Sequence, residues 1–292
     1  MKIGIIGAGK VGFTLGKYLS INDVHVTGYY SRNAEHALEA AQFTGTTHFE
    51  NMRELVDASD TLFITTSDAA IGKVWDRIAE YPLENKKICH FSGSLSCDVF
   101  SDYEQKGVQV CSVHPFFAFS NKYSTYEQFH KAILTIEGTP LAIEAIENLF
   151  VSLGHSVEVI QREDKAKYHA AACLASNAML GVLYEAVELL GECGFSKESA
   201  YRLITPLVRE NLNNGLEKGA VDALTGPVER GDCETVQKHL EVLREEERTL
   251  YTSISECLLQ MARIKNPDRD YESMAKLLAE RSVKSEENSE YI

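Results

Sequence analysis

The feature that most constrains the fold is a glycine-rich segment near the N-terminus. Residues 7–12 read Gly-Ala-Gly-Lys-Val-Gly and follow an apolar run that ends at Ile6. Apolar residues at helical spacing continue to residue 20, so the segment stands between a predicted strand and a predicted helix. This context gives the G-x-G-x-x-G pattern its meaning as a dinucleotide-binding turn, whereas the pattern alone is compatible with a plain turn.

Each position of this turn has a physical task. Gly7 permits the tight bend, Gly9 lets a pyrophosphate approach the backbone, and Gly12 allows the helix to pack closely on the strand. The free amides at the helix N-terminus bind phosphate charge. The predicted cofactor contacts are therefore Gly7, Gly9, Lys10, Val11 and Gly12.

The first 160 residues alternate short apolar runs with amphipathic stretches of helical length. This alternation is typical of βαβ units and predicts an α/β Rossmann domain with a mostly parallel, doubly wound sheet over residues 1–160. The predicted strands are residues 2–6, 24–30, 61–65, 87–91, 108–113, 132–137 and 157–160, and the predicted helices are residues 11–20, 34–42, 69–80 and 140–153.

The remaining sequence predicts an all-α domain over residues 161–280. Residues 163–192 are rich in Ala, Leu and Glu without proline and predict one long helix. Asp232 is predicted to cap a later helix. The other predicted elements are helices at residues 196–216, 233–243 and 245–264, a turn-rich break at residues 223–232 and a flexible acidic tail at residues 281–292.

Composition excludes several classes of function. The 29 basic and 43 acidic residues give a formal net charge of −14, which repels nucleic acids and anionic lipids. The seven scattered cysteines include no Cys-x-x-Cys pair, so neither a metal site nor a disulfide framework is expected, and a reducing cytoplasm fits best. No uninterrupted apolar run reaches the ~18 residues of a membrane span, so no membrane segment is expected.

The end of the second predicted strand indicates which dinucleotide binds. A carboxylate there would accept hydrogen bonds from an unphosphorylated ribose, but residues 30–33 read Tyr-Ser-Arg-Asn. The hydroxyl of Ser31 and the guanidinium of Arg32 suit a 2′-phosphate, which favours NADP over NAD. The alternative is a solvated turn in which Ser31 caps the next helix.

Hydroxyl side chains follow two further predicted strands. Ligands of open α/β sheets bind outside the carboxyl ends of the strands, so Thr66, Ser67 and Ser92 are expected to flank the ribose and nicotinamide. Asp68 is interpreted as a helix cap, and Ser94 is open to the same reading.

The assembled segments resemble a known family. They are Gly7–Gly12, His90–Leu95, His114–Phe119, Tyr168–Asn177 and Thr225–Asp232. They are similar to Rossmann-like proteins whose C-terminal half is a domain of unknown function, relatives of the 6-phosphogluconate-dehydrogenase-like and ketopantoate reductase group. The resemblance implies an NADP-dependent oxidoreductase, in some members an alternative ketopantoate reductase of pantothenate synthesis. It also implies a long helix lining the cleft and a homodimer formed through the helical domain.

The chain departs from its relatives at the catalytic helix. Ketopantoate reductases and β-hydroxyacid dehydrogenases carry Lys and Asn four residues apart, whereas this chain has His169 and Asn177 eight apart. In a uniform α-helix these lie about 80° apart in azimuth and about 12 Å apart along the axis, so they cannot both touch one carbonyl oxygen.

Carbonyl reduction needs a general acid and a clamp for the substrate carboxylate besides the hydride. His169 and His114 are the candidate proton donors, and Lys165, one turn before His169, is a candidate acid or anion clamp. The alternatives are a packed structural His169, a structural strand end at His114 and an exposed helix-start Lys165. Asn177 is expected to bind the carboxamide of the nicotinamide or a hydroxyl group of the substrate.

Arg230 is the preferred carboxylate clamp because of its planar fork, with a salt bridge to a helix end as the alternative. The leading hypothesis is an NADPH-dependent reductase of a small 2-oxo acid, with ketopantoate as the best-matching substrate. The pair His114-Pro115 resembles a segment of prephenate dehydrogenases, and Arg202 and Arg209 are available for such a substrate. A nucleotide-binding sensor without turnover is the alternative from a different class.

Overall fold

The computed structural model describes residues 1–279. The tail expected at residues 281–292 lies outside this range. The chain divides into two compact units, here called the sheet unit, residues 1–177, and the helical unit, which begins at residue 178. The start of the long helix therefore packs with the sheet, and the domain division at residue 160, drawn from composition, stays a prediction.

The sheet unit contains one eight-stranded sheet in the order β3-β2-β1-β4-β5-β6-β7-β8. Neighbouring strands pair in parallel except β6 and β7, which are antiparallel, so the predicted mostly parallel, doubly wound sheet is confirmed. The strands are β1 Ile3–Ile6, β2 Val26–Tyr30, β3 Thr47–His48, β4 Thr61–Ile64, β5 Lys87–His90, β6 Gln109–Phe116, β7 Ile133–Gly138 and β8 Val157–Val159.

Helices cover both faces of this sheet. Successive strand residues point to opposite faces, so Ile5 joins the cluster around Phe13 and Phe129, whereas Ile6 joins the cluster around Leu55 and Trp75. Burial on both faces explains why the strands are almost continuously apolar. The first helices of this unit are α1 Lys10–Ile21, α2 Ala34–Thr44, α3 Met52–Ala58, α4 Asp68–Ile78 and α5 Pro140–Ser152.

The predicted long helix is present but not uniform. It consists of α6 Lys165–Cys173, a π-helical segment Leu174–Ala178 and α7 Met179–Glu192. A π segment closes hydrogen bonds five residues apart, so each of its residues turns the helix by less than in an α-helix. The angular offset expected between His169 and Asn177 assumed a uniform α-helix, which this segment is not.

The helical unit has its own core, in which Val236, Leu240 and Leu259 are buried. The expected break at residues 223–232 contains one short helix, Pro227–Arg230, and a second short helix, Ala220–Ala223, ends at its first residue. Asp232 caps the helix Cys233–Val242 as predicted, its Oδ1 accepting a hydrogen bond from the Thr235 amide at 3.1 Å. The helices after α7 are α8 Lys197–Lys218, α9 Ala220–Ala223, α10 Pro227–Arg230, α11 Cys233–Val242 and α12 Glu245–Lys265, followed by helical residues 272–279.

One helix among the described residues, spanning residues 162–192, is long and apolar enough to cross a membrane. Only 6% of its most apolar stretch is buried within the chain. A single helix that meets these criteria is weak evidence for a membrane protein, and the expectation of no membrane segment stays a prediction.

Candidate active site

The glycine turn lies at the carboxyl end of β1 and is tied to the end of β4. Gly7 has φ +116°, and a Cβ there would stand 2.9 Å from the Thr65 carbonyl carbon. Thr65 Oγ1 donates a hydrogen bond to the Gly7 carbonyl oxygen at 2.9 Å. A Cβ on Gly12 would lie 2.7 Å from the same hydroxyl. Two of the three glycines are therefore required by packing within the protein itself.

The third glycine faces open space. A Cβ on Gly9 would meet nothing within 4 Å, although Gly9 is the N-cap of α1. No side chain caps this helix, and its first turn, which includes Lys10 and Val11, contains no acidic residue. Uncapped amides beside an open cradle fit the pyrophosphate of a dinucleotide, because both the dipole and the free donors favour an anion.

The loop after β2 carries the two residues expected to recognise a 2′-phosphate. Asn33 caps α2 by accepting a hydrogen bond from the Glu35 amide at 3.0 Å, so Ser31 is not the cap. Arg32 is exposed, and no hydrogen bond or ion pair within residues 1–279 engages its guanidinium. Arg77 Nη2 lies 3.5 Å from Tyr30 Oη, at the end of the same strand. These groups fit a phosphorylated ribose.

The loops after β4 and β5 are joined by hydrogen bonds. Ser67 is the N-cap of α4, so the interpretation of Asp68 as the cap was wrong. Instead, Asp68 Oδ2 accepts hydrogen bonds from Ser92 Oγ and Ser94 Oγ, each at 2.8 Å. Thr66 Oγ1 is buried and has no hydrogen-bond partner among the described residues. The predicted hydroxyl groups thus lie at the carboxyl edge of the sheet.

Two imidazole rings meet above Gly93. A Cβ on Gly93 would lie 2.8 Å from His114 Nε2 and closer still to His169 Nδ1. The ring centroids are 5.8 Å apart. Within the described chain, the buried His169 Nδ1 has no hydrogen-bond partner. The structure therefore brings the two predicted proton donors together over Gly93, where an added methyl group would clash with both rings.

Lys165, on the same helix as His169, is only 2% exposed. Its Nζ donates hydrogen bonds to Ser112 Oγ at 2.7 Å and to the Ser92 carbonyl oxygen at 3.1 Å. Burial lowers the pKa of Lys165 to about 8. The lysine is thus not the exposed helix-start residue considered as an alternative, and its Nζ holds the loop that carries Gly93.

The lowered pKa of Lys165 predicts a specific pH dependence of stability. Between pH 8 and 10.5 the unfolded chain retains a proton that the folded chain has released, so the free energy of unfolding rises with pH. The Lys165→Met variant lacks this contribution. We therefore expect the difference in the free energy of unfolding, wild type minus Lys165→Met, to rise by on the order of 3 kcal/mol across this pH range in urea denaturation. The exposed Lys167, changed to Met, should keep the wild-type slope, and parallel curves for wild type and Lys165→Met would contradict the prediction.

Tyr168 is a site residue to which sequence patterns assigned no role. Its Oη lies 2.8 Å from His114 Nδ1, and the two rings pack edge to face with centroids 5.6 Å apart. Burial raises the pKa of Tyr168. The tyrosine was quoted only as part of the family resemblance, since its partner lies 54 residues earlier in the chain.

Two further predicted residues lie in the π segment and in the helical unit. Asn177 is exposed within the π segment, and its Oδ1 accepts a hydrogen bond from Ser176 Oγ at 3.0 Å. Cys173 Sγ lies 3.7 Å from His169 Nε2. Arg230 ends α10 in the helical unit and is exposed. The roles of Asn177 and Arg230 stay predictions.

The fold and the glycine turn define a Rossmann-like dinucleotide-binding protein. A family model described as a Rossmann-like domain matches residues 1–115, and one described as a domain of unknown function, DUF2520, matches residues 132–257. The chain therefore carries a region that matches each of the two models. No curated protein matches its sequence.

Several solved structures share this fold. Protein BF3122 from Bacteroides fragilis, provisionally assigned as an NADP oxidoreductase, is 23% identical with a TM-score of 0.72, covering 89% of this chain and 98% of its own. An imine reductase from Pseudomonas sp. is 16% identical with a TM-score of 0.65, covering 90% and 97%. The Plasmodium falciparum pyrroline carboxylate reductase with NADP bound is 14% identical with a TM-score of 0.58, covering 91% and 96%. At these identities the likeness shows the fold alone.

Proposed function

We propose that this protein is an NADPH-dependent reductase of a small 2-oxo acid. The observation that carries the proposal is that His114 Nε2 and His169 Nδ1 both lie against Gly93, and that His169 Nδ1 has no hydrogen-bond partner among the described residues. Gly93 lies at the carboxyl edge of the sheet, the edge at which the uncapped N-terminus of α1 opens. The fold likeness to structures named as NADP oxidoreductases supports the same class.

Reduction of a carbonyl group requires the transfer of a hydride to the carbon and of a proton to the oxygen. Bound NADPH supplies the hydride. The chain's own residues hold the substrate oxygen and protonate the developing alkoxide: His169, with its unpartnered Nδ1, is the proposed general acid. Lys165 fixes the loop below through Ser92 and Ser112. Arg230 is proposed to clamp the carboxylate and Asn177 to bind the carboxamide or a substrate hydroxyl.

Ketopantoate is the proposed substrate, on the basis of the sequence resemblance to alternative ketopantoate reductases. A second candidate reaction is reduction of a carbon–nitrogen double bond. It is favoured by the shared fold with an imine reductase and a pyrroline carboxylate reductase. Both reactions require the same hydride geometry and a proton donor, so the identity of the substrate decides between them.

The test is a substrate panel in which the absorbance of reduced nicotinamide is followed, its loss reporting reduction and its gain reporting oxidation of the substrate. It contains ketopantoate, other small 2-oxo acids and a cyclic imine carboxylate, with NADPH and NADH compared, and prephenate with NADP in the oxidative direction. Turnover on a 2-oxo acid supports the proposal. Turnover only on the imine or only on prephenate replaces it with the corresponding alternative, and saturable NADPH binding without any turnover indicates a sensor.

The choice of NADP predicts a selective effect of one substitution. Removing the exposed guanidinium in Arg32→Ala should weaken NADPH binding roughly tenfold to a hundredfold, because a charge-assisted bidentate contact is lost. NADH binding should stay within about twofold. Isothermal titration with both cofactors measures the change. Equal losses for both cofactors would show that Arg32 does not read the 2′-phosphate.

We also propose that the protein is a cytoplasmic homodimer. The surfaces of α7 and α8 expose large apolar side chains, including Leu180, Leu203, Leu207 and Leu216. An apolar surface of this extent marks an interface in a water-soluble protein. The acidic charge of the chain argues against an anionic lipid surface as the partner.

The dimer predicts that a single charge on α8 disrupts association. Leu207 is 63% exposed, and Leu207→Glu should convert dimer to monomer in sedimentation velocity, because a carboxylate would be buried without a partner. The matched control is Leu141→Glu on α5, where the leucine is 60% exposed. A wild-type monomer, or equal effects of both substitutions, would contradict this interface.

A further inference from the structure

The His114 ring is held in place on both of its edges. Nδ1 lies 2.8 Å from Tyr168 Oη, whereas Nε2 lies against Gly93. The ring also packs edge to face on Phe116, with centroids 6.3 Å apart. The orientation of the imidazole is therefore set by the protein, and what remains to be assigned is which nitrogen carries the proton.

The surroundings of His114 keep it neutral. Lys165 and His169 face it from α6, Asp68 faces it from the start of α4, and Thr135 lies opposite on β7. Burial, with the neighbouring Lys165 and His169 acting in the same direction, lowers the pKa of His114 to about 4. At physiological pH the ring is thus a neutral imidazole with one N–H donor and one acceptor nitrogen.

We propose that Tyr168 is a positioning residue whose hydroxyl donates a hydrogen bond to His114 Nδ1 and so keeps the ring proton on Nε2, the nitrogen beside Gly93 and His169. The imidazole nitrogen is a good acceptor, and the phenol is a good donor. The opposite tautomer would present a lone pair to an incoming substrate oxygen, and this would be repulsive.

This assignment separates the roles of the two histidines, an extension that rests on the proposed function. His114 donates a fixed hydrogen bond that polarises the substrate carbonyl, and the imidazole itself stays neutral throughout. Proton transfer is left to His169, whose Nδ1 has no partner among the described residues. A neutral imidazole used as a preorganised donor costs no reorganisation when charge develops on the oxygen.

The chain contains a matched control for this pair. In the helical unit, His239 Nδ1 lies 2.8 Å from Tyr251 Oη, with ring centroids 5.6 Å apart and planes at 86°. The pair at the candidate site has the same distance and the same centroid separation, with planes at 85°. Tyr168→Phe and Tyr251→Phe therefore remove the same hydrogen bond in two different places.

The experiment is long-range ¹H–¹⁵N NMR of the full chain labelled in histidine, with the His114 signals assigned by their loss in His114→Asn. We expect wild-type His114 to carry its proton on Nε2, and Tyr168→Phe to populate the Nδ1–H tautomer. In the same variant kcat should fall roughly tenfold or more while the NADPH dissociation constant stays unchanged. Tyr251→Phe should alter the signals of His239 and leave kcat unchanged.

A wild-type Nδ1–H tautomer, or a Tyr168→Phe spectrum with His114 unchanged, would overturn the proposal. The wild-type spectrum alone decides the tautomer should the variant fail to fold. An Nε2–H tautomer in a protein that reduces none of the panel substrates would support the positioning role of Tyr168 and reject the proposed reductase function. The two inferences can therefore fail separately.

Discussion

Replacing His169 with alanine is expected to lower kcat by roughly 10²- to 10⁴-fold, the usual contribution of a general acid. His169 Nδ1 is buried, lacks a hydrogen-bond partner among the described residues and lies against Gly93. The NADPH dissociation constant should change little, because the imidazole is expected to contact the substrate oxygen rather than the phosphates. Single-turnover reduction with saturating NADPH measures the effect on the chemical step.

The matched control for this substitution is His130→Ala. His130 is exposed, and its Nδ1 contacts only the backbone carbonyl of Glu127 among the described residues. The His130→Ala variant should retain the wild-type kcat. Full activity in His169→Ala would show that the proton comes from another group, and equal losses in both variants would show an effect on folding rather than on chemistry.

Replacing Gly9 with alanine is expected to separate cofactor binding from stability. The added methyl group meets nothing within 4 Å, and the backbone of Gly9 is extended with φ −87°, which alanine adopts freely. The free energy of unfolding should therefore change by less than about 1 kcal/mol. NADPH binding should weaken by roughly 100-fold or more, because the methyl group occupies the approach of the pyrophosphate.

Gly12→Ala provides the contrast. Its Cβ would lie 2.7 Å from Thr65 Oγ1 and against the Gly7 carbonyl oxygen, so the helix must shift away from the strand. We expect a loss of about 1 to 3 kcal/mol in the free energy of unfolding. Denaturant titration and calorimetric NADPH titration of both variants test the pair. A Gly9→Ala variant that is destabilised, or that binds NADPH as tightly as the wild type, would contradict the expectation that the pyrophosphate lies against Gly9.

The sheet could be predicted because its signals are local. Strands buried on both faces are continuous apolar runs, and the glycine turn marks where the first strand ends. The segment between residues 43 and 60 was not assigned, because β3 Thr47–His48 is too short to show alternation and α3 Met52–Ala58 spans only seven residues. The π segment Leu174–Ala178 has no sequence signature of its own in a run of helix-forming residues.

Some residues of the candidate site could also be selected from the sequence, because the signals that indicate them are local. His114 and His169 were selected because one follows a strand and the other lies on the helix expected to line the cleft. The burial of Lys165, the partnership of Tyr168 with His114 and the steric requirement at Gly93 could not be inferred. Each depends on atoms from segments that are far apart in the chain.

The amino-acid sequence by itself determined the doubly wound architecture, the glycine cradle at α1 and the identity of the candidate chemical groups, because periodicity and turn chemistry act over a few residues. The tertiary structure alone decided which of those groups meet. Packing of α6 over the ends of β5 and β6 brings two imidazoles, a buried ammonium group and a phenol around Gly93. The burial created by that packing makes His114 a neutral hydrogen-bonding group, because its charge would have to leave water.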